Sequence, residues 1–464
     1  MPSFETDLYK TLSGFEEEII IDVIDDTDDY IDDGDDIEII EDVKETGPNI
    51  IDIDFDSLIE NETNSSLLNL HNYFNSLGGT MKNDYTGYFK GKNLIVIVAE
   101  SFCKLGVFQD ITPTLYKLIN SGFSFSNYYS PSMYSTVGGE LQFNTSLYPL
   151  SGLTDIWKSG TNYWPMGLGN VFKGIGYNTY AYHDNTYNYL DRNKYLNSIG
   201  FDNYIGCYNG MENKMNCNPW TESDIEMIKG TYEDYINDDN FMVYYMTVSG
   251  HGLYSYDKSV NVMGSKYKSV LESYGYNYSE PVMAYLSSQI ELDRAVKILM
   301  NKLEENGRLD DTVIVLLGDH YPYYLEAEEI NELAGRNIEQ YIEVCENNLI
   351  IYNSQMETVK IDKVASTIDV LPTIYNLFSI DYDSRLMIGS DILSDTPCYA
   401  IFGNDSWVSD YGTYYSSSGV FKAKDEKEVA DDYFSATNKI VRNKINVSLS
   451  MARYDYFKYV WPEN

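Results

Sequence analysis

Cations are scarce in this chain: 32 Lys plus Arg stand against 72 Asp plus Glu, a formal net charge of −40 over 464 residues. A nucleic-acid surface needs clustered positive charge to displace phosphate counterions, so the composition argues against that partner. Cysteine is also sparse. The five Cys form no CxxC pair and no Cys/His cluster, which argues against a structural zinc site. Cys207 and Cys217 bracket the polar loop YNGMENKMN. Their spacing leaves open both a disulfide in an exported chain and two unpaired thiols. No apolar run approaches the ~18 residues that span a bilayer, and no signal-peptide pattern is present, so the chain as given reads as soluble. Tyrosine, by contrast, is abundant at 45 residues and is assigned no function.

The negative charge is unevenly spread. Residues 1–62 carry 23 acids and 2 Lys, a net of −21. Over residues 1–48 Ile alternates with Asp and Glu, a low-complexity pattern that cannot pack tightly without bringing like charges together. From Asn49 the apolar spacing becomes helical and predicts docking on the body, with His71 a packing or surface residue. We therefore divide the chain into an acidic lead-in and docking segment (1–84), a catalytic domain (85–395) and a small C-terminal α+β subdomain (396–464).

Within the central part, wholly apolar runs read as strands buried on both faces, the signature of a mostly parallel sheet flanked by helices. TVIVLLGDH (312–320) delivers Asp319 and His320 at its carboxyl end. The preceding Leu292, Ala295, Val296, Leu299 and Leu303 recur at helical spacing and stop at Asn306-Gly307. NLIVIVAES delivers Glu100, YNTYAY ends on His183, and FMVYYMTVSGHG ends on His251. Thr112-Pro113 predicts a helix start with Thr as N-cap, and Gly122 its stop. VASTIDVLPTIYNLF predicts a helix interrupted by its proline. In open α/β sheets ligands sit beyond the carboxyl ends of strands, so these acids and imidazoles share one rim.

Glu100, Asp319 and His320 form a hard oxygen/nitrogen donor set suited to Mg²⁺, Mn²⁺ or Zn²⁺. Thr136, beside two glycines at a predicted helix start, is the candidate fourth ligand. A threonine hydroxyl needs a metal or base to become a nucleophile, and a helix N-terminus favours an incoming phosphate. A simple N-cap is the alternative for Thr136.

These residues lie in segments that resemble the extracellular catalytic domain of lipoteichoic acid synthases, the phosphoglycerol-transferase branch of the alkaline phosphatase/sulfatase superfamily. The resemblance runs from YTGYFKGKNLIVIVAES to the C-terminal helix. It includes TPTLYKLINSGFSFSNYYSP, STVGGELQFNTSLYPL, HDNTYNYLDRNKYLNSIGFDNY, TVSGHGLY, LLGDHYPY and STIDVLPTIYNL, in the family's order. It implies that Glu100, Thr136, Asp319 and His320 hold one divalent ion, typically Mn²⁺. Thr136 would be the nucleophile, with His183, Asn185, Arg192 and His251 lining the substrate pocket. Leu190 stands where the family usually has Trp, and Asn185 where it has an acid. Val137-Gly138-Gly139 is less polar than the family's version.

The expected reaction is transfer of glycerol phosphate from phosphatidylglycerol, an anionic glycerophospholipid, to a growing polyglycerophosphate chain. Arg192 would offer a planar fork to the phosphate, and His251 would move the proton. Two alternatives are a phosphodiesterase or phosphoethanolamine-type transferase with the same machinery, and a catalytically silent wall-polymer-binding module. The family implies the outer face of the bacterial cytoplasmic membrane, and the chain is then expected to be a soluble extracellular fragment.

Overall fold

Eight strands form the central sheet of the computed structural model, which describes residues 46–461 apart from 132, 151 and 425–428. They are Asn93–Ala99 (β1), Phe123–Phe125 (β2), Asn178–Thr186 (β3), Asn203–Cys207 (β4), Phe241–Met246 (β5), Thr312–Gly318 (β6), Ile350–Tyr352 (β7) and Val359–Ile361 (β8). Their spatial order is β8-β2-β7-β6-β1-β5-β3-β4. All neighbours run parallel except β7, which is antiparallel to both β2 and β6. Alternation along each strand divides the core in two. Leu94, Val96 and Val98 share one face with Met242, Tyr244, Val313, Val315 and Leu317. Ile95, Ile97 and Ala99 turn to the other face with Val243, Tyr245, Ile314 and Leu316. Because both faces are buried, the strands read as unbroken apolar runs rather than alternating ones.

Helices cover each face. Ser135–Thr145 and Thr367–Leu377 contribute Leu141, Ile368, Leu371 and Ile374 to the first core. Glu280–Glu305 lays Leu292, Ala295, Val296, Leu299 and Leu303 on the second, ending where Gly307 takes φ +68°. One local expectation holds in position, and a second is corrected. Thr112 stands at the N-cap of Pro113–Ile119, but its hydroxyl turns back to accept from the Phe108 N–H. The Leu115 N–H is met instead by the Asp293 carboxylate at 2.8 Å. The second concerns Pro372, which does not interrupt its helix. Proline removes the bond to the carbonyl four residues back. That carbonyl, Ile368 O, accepts from the Ser146 hydroxyl at 2.8 Å, and a capping box of Ser366 and Asp369 closes the helix start.

The C-terminal region opens with a four-stranded antiparallel sheet, Ala400–Ile401, Trp407–Ser409, Gly412–Tyr415 and Val420–Ala423. The helix Tyr433–Arg453 then returns Val447 and Met451 to the first core. At the other end, helices Phe55–Asn61 and Ser65–Asn75 dock Phe55, Leu67, Leu70 and Phe74 on the same core. His71 is a packing residue, its Nδ1 2.8 Å from the Tyr456 hydroxyl. The acidic lead-in lies outside the described residues except for 46–48. Cys207 and Cys217 are joined in a disulfide, with Cα atoms 5.8 Å apart, while Cys103, Cys345 and Cys398 are buried. Among the described residues no helix is long and apolar enough to cross a membrane.

Ser146 offers a direct test of the proline helix. Its hydroxyl also accepts from the Gly389 N–H at 2.9 Å, so Ser146→Ala leaves two buried backbone groups unpaired. The expected loss is about 2–3 kcal/mol of stability, read as a lowered urea midpoint at unchanged slope.

Candidate active site

Strands β1 and β6 run side by side with Ala99 opposite Gly318, so Glu100, Asp319 and His320 emerge together at the carboxyl edge. Each of these three buried residues presents one ligand atom within 4.8 Å of the others. Their hydrogen bonds set which atoms face inward. Asp319 Oδ1 accepts from the backbone N–H groups of Ser101 and His320 at 2.9 and 2.8 Å. Asp319 Oδ2 is buried and has no hydrogen-bond partner. His320 Nδ1 lies 2.9 Å from the Tyr321 carbonyl. A carbonyl only accepts, so Nδ1 carries the proton and Nε2 presents a lone pair. That Nε2 is 3.1 Å from Asp319 Oδ2 and 3.4 Å from Glu100 Oε1. Acceptors in contact require a cation or a proton between them. Burial, reinforced by the charge of Glu100 and offset by His320, lifts Asp319 to about 7. The donor set and its fixed imidazole tautomer fit a divalent ion.

Thr136 completes the group. Its Oγ1 is 3.3 Å from both Glu100 Oε2 and His320 Nε2, and its one proton can serve only one of them. Thr136 is the second residue of the Ser135–Thr145 helix, inside it rather than at its cap, where orphan N–H groups and the dipole favour an anion. Tyr134 and Ser135 enter the helix through the left-handed region, at φ +60° and +50°. The glycine pair has a steric cause: a Cβ on Gly139 would sit 2.4 Å from Asp319 O, and one on Gly138 only 1.6 Å from Met133 O. The helix start therefore closes onto the end of β6.

Of the remaining expected residues, His183 and Asn185 lie on β3, His251 in the loop after β5, and Arg192 at the start of the helix Arg192–Ser198. His183 Nδ1 donates to the Met246 carbonyl at 3.0 Å, leaving a buried Nε2 without a partner. Burial and then the charge of Arg192 hold His183 well below the usual imidazole range, so it is a neutral acceptor. The Asn185 carboxamide accepts from the Thr186 N–H of its own strand. The strand expected to run to His251 stops at Met246. Loop residues Val248 and Ser249 donate their N–H groups to Asp224 Oδ1 instead. His251 meets the acids through rings. It packs on Tyr324, which packs on Tyr323, whose ring centroid is 4.4 Å from that of His320.

Arg192 is the main correction. It is fully buried, and the Nε–Nη2 edge of its guanidinium grips Glu140, with Nη2 2.7 Å and Nε 3.1 Å from Oε2. Tyr195 and Tyr244 also donate to Glu140, at 2.7 and 2.9 Å. The fork is occupied, and only Nη1 is buried without a partner. Against the cost of burial, Glu140 keeps the guanidinium firmly charged. Sequence reasoning missed Glu140. Its one signal was an acid on the same helix as Thr136, too common a feature to single out.

The parallel sheet with its acidic rim is an alkaline-phosphatase-like fold. It is similar to the crystal structure of an alkaline phosphatase superfamily protein from Vibrio parahaemolyticus (TM-score 0.61, 17% identity, covering 88% of this chain and 98% of that one). The chain belongs to the sulfatase family, whose sequence model matches residues 92–380. It is similar to lipoteichoic acid synthase 2 of Bacillus subtilis, at 24% identity over 433 residues. That match covers 86% of this chain and 62% of the relative's length. The structure is also similar to that of the lipoteichoic acid synthase LtaP from Listeria monocytogenes (TM-score 0.64, 23% identity, covering 82% of this chain and 96% of that one).

Glu140→Gln should expose the cost of the buried pair. Removing one partner leaves the other charge uncompensated, so the variant is expected to lose about 3–5 kcal/mol of stability, measured by denaturant unfolding. Glu140→Gln combined with Arg192→Met should recover part of that loss.

Proposed function

We propose that this chain transfers glycerol phosphate from an anionic glycerophospholipid, phosphatidylglycerol, to the end of a polyglycerophosphate chain, with Thr136 as nucleophile. The observation that carries the reading is the Thr136 hydroxyl, 3.3 Å from two groups of a buried acceptor cluster, at the start of a helix. The names of the similar proteins, lipoteichoic acid synthases, support the substrate class. The chain spans about three fifths of the length of the curated relatives it matches.

Glu100, Thr136, Asp319 and His320 would hold one divalent ion, Mn²⁺ by preference, which supplies a lowered hydroxyl pKa and neutralises charge on the phosphoryl oxygens. Thr136 Oγ1, as the alkoxide, attacks phosphorus, and the bond from phosphorus to the diacylglycerol oxygen breaks. His251 gives its proton to that oxygen. Arg192 Nη1 and the helix N–H groups meet the phosphoryl oxygens, while His183 Nε2 accepts from a glycerol hydroxyl. The terminal hydroxyl of the acceptor chain then attacks the glycerophospho-threonine, returning its proton to His251 and freeing Thr136. On this reading the domain works at the outer face of a bacterial cytoplasmic membrane.

Asn185 and Leu190 favour keeping a second reading, a phosphodiesterase or phosphoethanolamine-type transferase with the same nucleophile. A panel of labelled lipids with Mn²⁺ separates the two, with phosphatidylglycerol expected to give both diacylglycerol and polymer. Thr136→Ala is expected to lower diacylglycerol release at least about 10³-fold, and retained turnover would refute the mechanism. Asp319→Asn should weaken Mn²⁺ binding in calorimetry by more than the ~10- to 100-fold that outer-shell changes cost.

A further inference from the structure

Exposed apolar side chains gather around one imidazole. Trp220 is 37% exposed and meets His251 edge-on, with ring centroids 4.9 Å apart. Tyr324, 40% exposed, lies against the same imidazole at 5.5 Å. Leu253, two residues along from His251, is 57% exposed. Through Tyr323 this apolar surface is continuous with His320 and the acid cluster.

The surface is held in shape. Asn261 is buried, and its amide group donates to His251 O at 2.8 Å and Leu253 O at 3.1 Å. Its carbonyl accepts from the N–H groups of Met263 and Gly264 and from the Thr221 hydroxyl. The next residue, Val262, donates its N–H to Trp220 O at 2.9 Å. One saturated carboxamide thus ties together the loops that carry Trp220, His251 and Leu253. Large apolar groups fixed at a surface, rather than scattered over it, mark a place where apolar matter docks.

We propose that Trp220, Leu253 and Tyr324 form the subsite for the glyceride and first acyl methylenes of the donor lipid. The inference rests on the phosphoglycerol-transfer reading. In-line displacement puts the leaving oxygen opposite Thr136, and His251 must touch that oxygen to protonate it. The carbons attached to the leaving oxygen therefore pass along whatever surrounds His251, and that surface is apolar. Donor and protein are both anionic, so the contact draws on apolar burial, and salt should strengthen it by screening repulsion.

The test uses the whole chain with phosphatidylglycerol vesicles carrying brominated acyl chains. Trp157, Trp164 and Trp407 are buried, and with the half-buried Trp461 replaced by Phe throughout, lipid quenching of tryptophan emission reports on Trp220. The expected result is quenching that is retained or increased at higher salt and abolished in Trp220→Phe. Burying one Leu side chain is worth about 1.5–3 kcal/mol. Leu253→Ser should therefore lower the ratio of kcat/KM for long-chain phosphatidylglycerol over that for a soluble glycerophospho-p-nitrophenol diester by about tenfold or more. Absence of quenching, or an unchanged ratio, overturns the subsite. If the unaltered protein turns over neither donor, it is the transfer reading that fails, and the quenching experiment alone then decides the subsite.

Discussion

Two acceptors in van der Waals contact, Asp319 Oδ2 and His320 Nε2, are the constraint around which the rest of the site is built. Among the described residues one hydroxyl, Thr136, reaches His320 Nε2, at 3.3 Å, and none reaches Asp319 Oδ2: backbone N–H groups take the other carboxylate oxygen, and the Tyr321 carbonyl takes the other ring nitrogen. Glu100 adds a third acceptor instead of a donor. Such an arrangement is costly when dry and empty of cations. The sheet holds the acids together because β1 and β6 are adjacent, parallel and in register, so both chains leave the sheet at one level. The Ser135–Thr145 helix closes over them only because Gly138 and Gly139 let backbone approach backbone. A bound divalent ion would satisfy all three acceptors at once, and folding energy spent in gathering them would return as affinity.

Much of this was legible because of one regularity. Strands buried on both faces are unbroken apolar words, and their last letter is whatever the rim needs. Glu100 and Asp319-His320 could be read in that way, and so could the parallel character of the sheet, whereas His183 lies inside β3, which runs on to Thr186 instead of ending there. The same regularity failed at His251, where the apolar word continues past Met246 but the chain leaves the sheet to be caught by Asp224. A buried carboxylate receiving loop N–H groups leaves no periodic trace. Pro372 misled for a related reason, since its helix survives through a hydroxyl more than 200 positions earlier in the chain, at Ser146.

Glu140 is the clearest case of a residue hidden from sequence. It lies one helical turn beyond Thr136, where the natural expectation is solvent, yet it is fully buried and receives Arg192, Tyr195 and Tyr244. The partners come from two distant segments, the helix Arg192–Ser198 and β5, so no spacing near Glu140 announces them. Their effect reaches the chemistry indirectly. With the fork held by Glu140, Arg192 is a rigid charge with one free corner, and that charge helps keep His183 neutral. A buried cation thus adds to burial in setting the protonation state of its neighbour.

A chain of net charge −40 is poorly suited to attract a polyanion from a distance, and long-range steering works against the proposed substrates. The site answers locally. The start of the Thr136 helix and the Nη1 corner of Arg192 present positive potential over a few ångströms, where screening by salt matters little, and a divalent ion held by the acid cluster would add to it. Around His251 the surface is apolar rather than charged, so the repulsion between an acidic protein and an anionic lipid face falls on groups that need not touch. Attraction confined to the pocket favours a donor delivered by the membrane over one captured from solution. An acidic surface does not slow such a donor, because its approach is set by the bilayer and its binding by contact.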